Sequence, residues 1–331
     1  MLFLYKIGDI QTDSVLLRVI TIYILSLYCY FLSDLCKKNP DLFFLAVKIY
    51  IESLLYACLC GGILFILILK GVVGEAQLSY ITSGAHIIQF GSLNIFRFNP
   101  GSNVNEFSYI LGIGIFLLNF INIERRKKNM VLFIFLICLF LTLTRAAWLS
   151  LLVAYVIYFL LNENSTKRMI NTIIFSCFVF SIFAYIYSTV ESFSYLVDSR
   201  LAPTIGVSGE ERLEKFDFAY QSLLSSKMTL LFGHGWSTNM YIHNVYLQLL
   251  YELGVIGFII FSVYIIYIIL PIFFIKEKYC KATLISLIVF IFLFATMQHT
   301  LYHTQTWFIL AIINSSIILN KKLKLPHEKN K

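Results

Sequence analysis

The chain has 331 residues, 59% of them hydrophobic and only 13% charged, with a net charge of +8. A soluble domain carries about 25% charged residues, so there is too little polar surface here to cover a water-soluble globule. The positive charge sits in short clusters between apolar runs rather than on one continuous surface, which argues against a nucleic-acid partner.

The apolar runs approach the ~20 residues needed to cross a hydrocarbon core. Lipid cannot satisfy free backbone groups, so each run must be helical; a β-barrel would show short alternating segments instead. The expected fold is therefore an all-α, polytopic transmembrane bundle, a single integral membrane domain over 1–331 with about 9–10 spans. Spans are placed near 14–32, 50–70, 106–122, 131–144, 146–161, 169–189, 252–275, 282–298 and 304–320. No cleavable signal peptide is read in Met1 to Ile10, which lack a basic start followed by a small-residue cleavage site. The seven cysteines, of which only Cys58 and Cys60 are close, read as small apolar residues of the spans.

The basic clusters Lys37-Lys38, Arg125–Lys128, Lys167-Arg168, Lys276/Lys278/Lys281 and Lys321-Lys322/Lys324 all fall on one side with this span set. The positive-inside rule makes that side the cytoplasm. As one helix, 131–161 would be ~46 Å long, too long for one crossing. A tight hairpin resolves this, with its apex at Thr144-Arg145-Ala146 on the outer side.

Two longer segments are then outside. The first, 71–105, is rich in Gly, Ser and Asn and carries His86 and Arg97. The second, 190–251, is the one long polar stretch. Within it 209–231 reads as a helix with Leu213, Phe216, Ala219, Tyr220, Leu223 and Leu224 on one face, ended by Gly233 and Gly235. A second helix starts near His243 and runs into the membrane. Gly254 and Gly257 read as helix-packing residues, and Glu252 as a tie between helices. His299 and His303, spaced i, i+4, share a helical face and could hold zinc with His234 or His243. No carboxylate or cysteine lies beside them in sequence, so no metal and no cofactor is expected.

The most informative stretch is Leu231-Phe-Gly-His-Gly-Trp236 followed by Ile242-His-Asn-Val-Tyr-Leu-Gln-Leu-Leu-Tyr-Glu-Leu-Gly-Val-Ile-Gly257. Its G-x-G, His-Asn-x-Tyr-Leu and E-x-G-x-x-G resemble the O-antigen ligase and Wzy-type polymerase superfamily. Thr144-Arg-Ala-Ala-Trp148 resembles that family's Arg-Ala-Trp hairpin, and Gly209-Glu-Glu-Arg212 its Gly-Arg segment. Phe96-Arg97 with Asn105-Glu106-Phe107 is similar to its early outer loop. The likeness covers roughly residues 90–275. The nine spans put the N-terminus outside, which implies an early membrane-dipping segment or earlier spans carried by relatives.

The resemblance implies a metal-independent glycosyltransferase of the bacterial cytoplasmic membrane. Its donor would be an undecaprenyl-diphosphate-linked glycan at the outer boundary. By matched position His243 is the candidate base, and Arg145 and Arg212 the diphosphate-binding arginines. Arg200 and Arg97 are secondary binding candidates, and Asn244 and Tyr246 would orient His243 or a sugar. A leaving diphosphate calls for preorganised cations, for which guanidinium is suited. A hydroxyl nucleophile calls for a base such as neutral imidazole. The leading expectation is a polymerase of surface polysaccharide and the close alternative a ligase to lipid A-core or another acceptor. A transporter or flippase of the same lipid is the rival, and a scaffold without activity the third possibility. Membrane lipids and other polysaccharide-assembly proteins are the remaining expected partners.

Overall fold

A computed structural model describes residues 15–72, 87–90, 93–100, 103–162, 207–235, 242–298, 300 and 303–319. The expected span at 169–189, the cations Lys167, Arg168 and Arg200, the C-terminal lysines, His86 and His299 lie outside the described residues.

Helix α1 (Val15–Lys38) passes directly into α2 (Pro40–Leu69). Asn39 makes the break: its side chain caps α2 by accepting from the Asp41 amide at 3.1 Å, and Pro40 takes the first helical position. The helix therefore begins ten residues before the apolar run that announced it. A two-stranded antiparallel hairpin follows, β1 (Ile87–Phe90) and β2 (Leu93–Phe96), paired from Ile87↔Phe96 to Phe90↔Leu93. The composition of 71–105 reads as loop, and this hairpin was not expected there. Then come α3 (Val104–Leu117), α4 (Arg125–Leu141), α5 (Arg145–Leu161), α6 (Val207–Leu224), α7 (Lys227–Phe232), α8 (Val245–Ile269), α9 (Lys278–Ala295) and α10 (Thr304–Ser315).

Among the described residues four segments are long and apolar enough to cross a membrane: Ile20–Lys38, Pro40–Ile68, Val245–Phe274 and Lys278–Ala295. Val104–Phe120, Arg145–Leu161 and Thr304–Ile318 are shorter apolar helices. The chain is an all-α, polytopic integral membrane protein. Its burial pattern fits lipid as solvent: Ile63, Phe133, Leu160 and Ile260 are exposed, and hydrocarbon chains rather than water would surround such side chains.

The core lies where α3 and α9 meet. Ile113 and Leu117 of α3 and Leu284, Leu287 and Phe290 of α9 are fully buried. Gly112 allows the approach, since a Cβ there would collide with the Phe290 ring; small residues let membrane helices close up in this way. Tyr50 of α2 stacks on Phe308 of α10, ring centroids 5.4 Å apart.

Contacts between helix ends fix two faces. At one, Lys37 donates to the Asn314 side chain at 3.2 Å and Tyr279 donates to the Asn119 side chain at 2.7 Å. Arg125–Lys128 and Lys276–Lys281 lie at this basic end. At the other, Arg97 reaches the α4–α5 turn, Glu106 faces His303, and Tyr246 donates to the Phe292 carbonyl at 3.0 Å. Arg145 and His243 belong to this second, histidine end.

Gly112→Val is expected to destabilise the bundle by about 1–3 kcal/mol through overpacking against Phe290, read as a lower thermal midpoint by tryptophan fluorescence in detergent. Gly62→Val, where an added Cβ meets nothing within 4 Å, should leave the midpoint unchanged. Equal midpoints for the two variants would refute the close approach of α3 and α9.

Candidate active site

Three local structures build the histidine end. The first is the hairpin of α4 and α5. Its turn, Thr142-Leu143-Thr144, holds Leu143 at φ 53, a left-handed conformation that leucine rarely adopts. The turn is bracketed from outside. Phe98 N donates to the Leu141 carbonyl at 2.9 Å, and Arg97 Nε to the Thr142 carbonyl at 2.8 Å. These carbonyls end α4, where a cation is electrostatically favoured. Arg97 Nη2 also donates to Thr144 Oγ1 at 3.0 Å and Asn105 Oδ1 at 3.3 Å. From the far side Trp148 Nε1 donates to the Leu139 carbonyl at 3.2 Å, and its ring stacks on Phe140. Ala146 and Ala147 are buried beneath. Thr144 is the N-cap of α5 but makes no side-chain cap, its hydroxyl being engaged by Arg97. Arg145, the first residue of α5, is exposed.

The second structure is a broken helix. Within α8, Gly254 departs from helical geometry (φ 66, ψ −173). The G-x-G segment docks across that break: His234 N donates to the Tyr251 carbonyl at 2.9 Å and Gly235 N to the Glu252 carbonyl at 3.0 Å. Gly233 also has positive φ (74°), and the contact is mutual. A Cβ on Gly233 would strike the Glu252 carbonyl, and one on Gly254 the Leu231 carbonyl. Gly254 packs, as expected, against a helix, the last turn of α7 at Leu231, and its break also receives the Gly233–Gly235 loop. His234 completes the join, its Nε2 2.8 Å from Ser222 Oγ on α6 and its ring against Tyr251.

The helix expected over 209–231 is split into α6 and α7. Ser226 caps α7 in a reciprocal box with Thr229, and the first helix ends before it, at Leu224. Of the predicted apolar face, Phe216, Ala219 and Leu223 pack against Ile242, Leu247 and Tyr251, while Leu213, Tyr220 and Leu224 are exposed. Gly233 does terminate the segment.

The third structure is the start of α8. Asn244 is its N-cap, the side-chain oxygen accepting from Tyr246 N and Leu247 N, both at 3.0 Å. Gln248 donates to buried Glu252 at 2.5 Å and accepts from Ile242 N at 2.8 Å. Through Gln248, buried Glu252 therefore braces the chain ahead of His243. His243 lies half-buried between this brace and the Asn244 cap.

Of the predicted site residues, Arg145, the first residue of α5, and His243, which precedes the Asn244 cap of α8, stand at the same end. Arg212 falls in the second turn of α6, which packs on the outer part of α8; its side chain and Arg200 lie outside the described residues. Arg97, Asn244 and Tyr246 carry structural bonds. Sequence reasoning passed over Gln248 and the Glu106–His303 pair. Polar side chains at the ends of apolar helices, where water is near, were the available signal. From Tyr246 an apolar groove of about 230 Å³ descends between α8, α9 and α10, lined by Leu249, Phe258, Phe261, Phe292 and Thr300 among others. Among the described residues no three His, Cys, Asp or Glu side chains cluster as metal ligands.

A family model described as O-antigen ligase matches residues 130–262. No curated protein and no solved structure matches the chain.

Gly254→Ala should strain the joint by about 1–3 kcal/mol from a backbone conformation essentially confined to glycine, with the clash added. The expected readout is faster proteolysis of the α7–α8 connection in the folded protein. A protease-resistance profile identical to wild type would contradict the docking of Gly233 on Gly254.

Proposed function

On the premise that residues 130–262 carry the domain of the O-antigen ligase and Wzy-type superfamily, we propose that this chain is a membrane glycosyltransferase. It acts on an undecaprenyl-diphosphate-linked glycan at the outer face of the bacterial cytoplasmic membrane. One observation carries the reading. Arg145, a motif residue, is exposed at the first turn of α5, whose start the Arg97 bracket sets. A motif arginine held at a helix N-terminus by a rigid turn suits an anion, and guanidinium binds diphosphate with paired hydrogen bonds.

In the proposed step an acceptor hydroxyl attacks the anomeric carbon of the donor. The bond from that carbon to the diphosphate oxygen breaks, and undecaprenyl diphosphate leaves with the electron pair. His243 takes the hydroxyl proton and later releases it to water. Arg145, with Arg212, stabilises the charge that grows on the leaving group. The apolar groove beginning at Tyr246 offers the isoprenoid a path along α8. No metal takes part in this scheme. Polymerisation, in which the acceptor is the next lipid-linked repeat unit, is the form we favour; ligation to lipid A-core breaks the same bond.

A transporter of the same lipid would also use a broken helix. Here the break in α8 is filled by Gly233–Gly235, and Glu252 is fully buried on Gln248. A break occupied in this way favours the transferase.

His243→Ala is expected to keep the wild-type thermal midpoint while lowering glycan elongation by ~10²–10⁴-fold, seen on gels as glycan held at one repeat unit. Wild-type chain lengths would reject the base. Arg145→Lys keeps the charge but loses the paired geometry, so a marked fall in turnover is expected with purified lipid-linked donor. Undiminished turnover would remove Arg145 from diphosphate binding. In a deletion strain, full-length chains stranded on undecaprenyl diphosphate would indicate a ligase instead.

A further inference from the structure

The histidine end holds a polar cleft separate from the Arg145 turn. It is bounded by Asn103, Asn105 and Glu106 at the start of α3, and by Gln298, Thr300 and His303 ahead of α10. Its volume is about 30 Å³, the space of one water molecule or one hydroxyl group. The floor is ordered: Tyr109 is buried and its hydroxyl lies 3.2 Å from Thr306 Oγ1, which donates to the Thr300 carbonyl at 2.7 Å. Glu106 Oε1 and His303 Nδ1 face each other at 3.5 Å, each side chain about a quarter exposed. That separation is long for a good direct hydrogen bond, yet one oxygen placed beside both can reach each. A hydroxyl there donates to the carboxylate and accepts from an Nδ1–H of the imidazole.

The position links the cleft to the proposed chemistry. Asn105 lines it and also binds the Arg97–Thr144 bracket that precedes Arg145. Thr300 lines both the cleft and the apolar groove that begins at Tyr246. A polar, hydroxyl-sized recess thus adjoins an apolar channel, the pattern of a site for a sugar carried on a lipid. We propose that Glu106 and His303 form a hydroxyl-recognition subsite that grips one sugar hydroxyl of the glycan substrate. This inference rests on the transferase reading. Its chemical logic is selectivity: a site built to hydrogen-bond a hydroxyl disfavours a sugar lacking it.

The test uses the full chain in phosphatidylethanolamine–phosphatidylglycerol nanodiscs and two probes. One is the free oligosaccharide repeat released from the strain's own surface glycan; the other is undecaprenyl diphosphate without sugar. Glu106→Gln and His303→Gln are each expected to weaken oligosaccharide binding by about 10- to 100-fold, the worth of a hydrogen bond to a charged group. Both should leave undecaprenyl diphosphate affinity and the thermal midpoint unchanged. Arg145→Ala should do the reverse, weakening the lipid diphosphate alone. Oligosaccharide affinity unchanged in both cleft variants overturns the subsite, as does an equal loss of both probes. Wild-type protein that binds the oligosaccharide but not undecaprenyl diphosphate would instead overturn the transferase reading.

Discussion

The histidine end depends on one exchange of hydrogen bonds. Gly254 interrupts α8, and the Tyr251 and Glu252 carbonyls accept from His234 and Gly235. Buried peptide groups need partners, so the break in the helix and the turn in the loop require each other. Gly233 and Gly254 both occupy positive φ, and each leaves room for the backbone of the other. Through this join α6 and α7 are seated on α8, and the segment carrying His243 is held between the join and the Asn244 cap.

A second constraint operates across the bundle, where an αL leucine is held by Arg97 and Phe98. A non-glycine residue in that conformation persists only when its surroundings over-determine it. Here two α4 carbonyls, a threonine hydroxyl and an asparagine amide share the task. The result is that α5 begins at Arg145. Two devices of different chemistry, one of glycine and one of guanidinium, set the places of the two side chains proposed to act.

Much of this was legible in the sequence. Hydropathy and the lysine clusters gave the all-α membrane bundle, and the length of 131–161 demanded the hairpin that α4 and α5 form. The same criterion missed the start of α2, because Asn39-Pro40 is a capping signal rather than an apolar one. It missed the small sheet as well, although Gly91-Ser92 between two alternating apolar runs is a hairpin signature. The helix of 209–231 was read through Ser225-Ser226, whose hydroxyls favour caps over helix interiors. At the site, motif reading picked out positions without their structural tasks. Asn244 looks like a site residue on paper and Gly254 like a helix-packing one, yet the cap and the joint they make are set by backbone geometry that no spacing displays. Glu106 and His303 are 197 positions apart, and only the packing of α3 beside α10 brings them face to face.

The Arg97 bracket bears on how mutant screens of this protein are read. An arginine near the membrane surface whose loss abolishes glycan assembly would ordinarily be credited with gripping phosphate. Arg97 would give that phenotype by a different route, because without it the leucine turn has every reason to relax and carry Arg145 out of place. Inactivity at Arg97 and at Arg145 would then be one defect seen twice, and combining the two losses should cost little more than either alone.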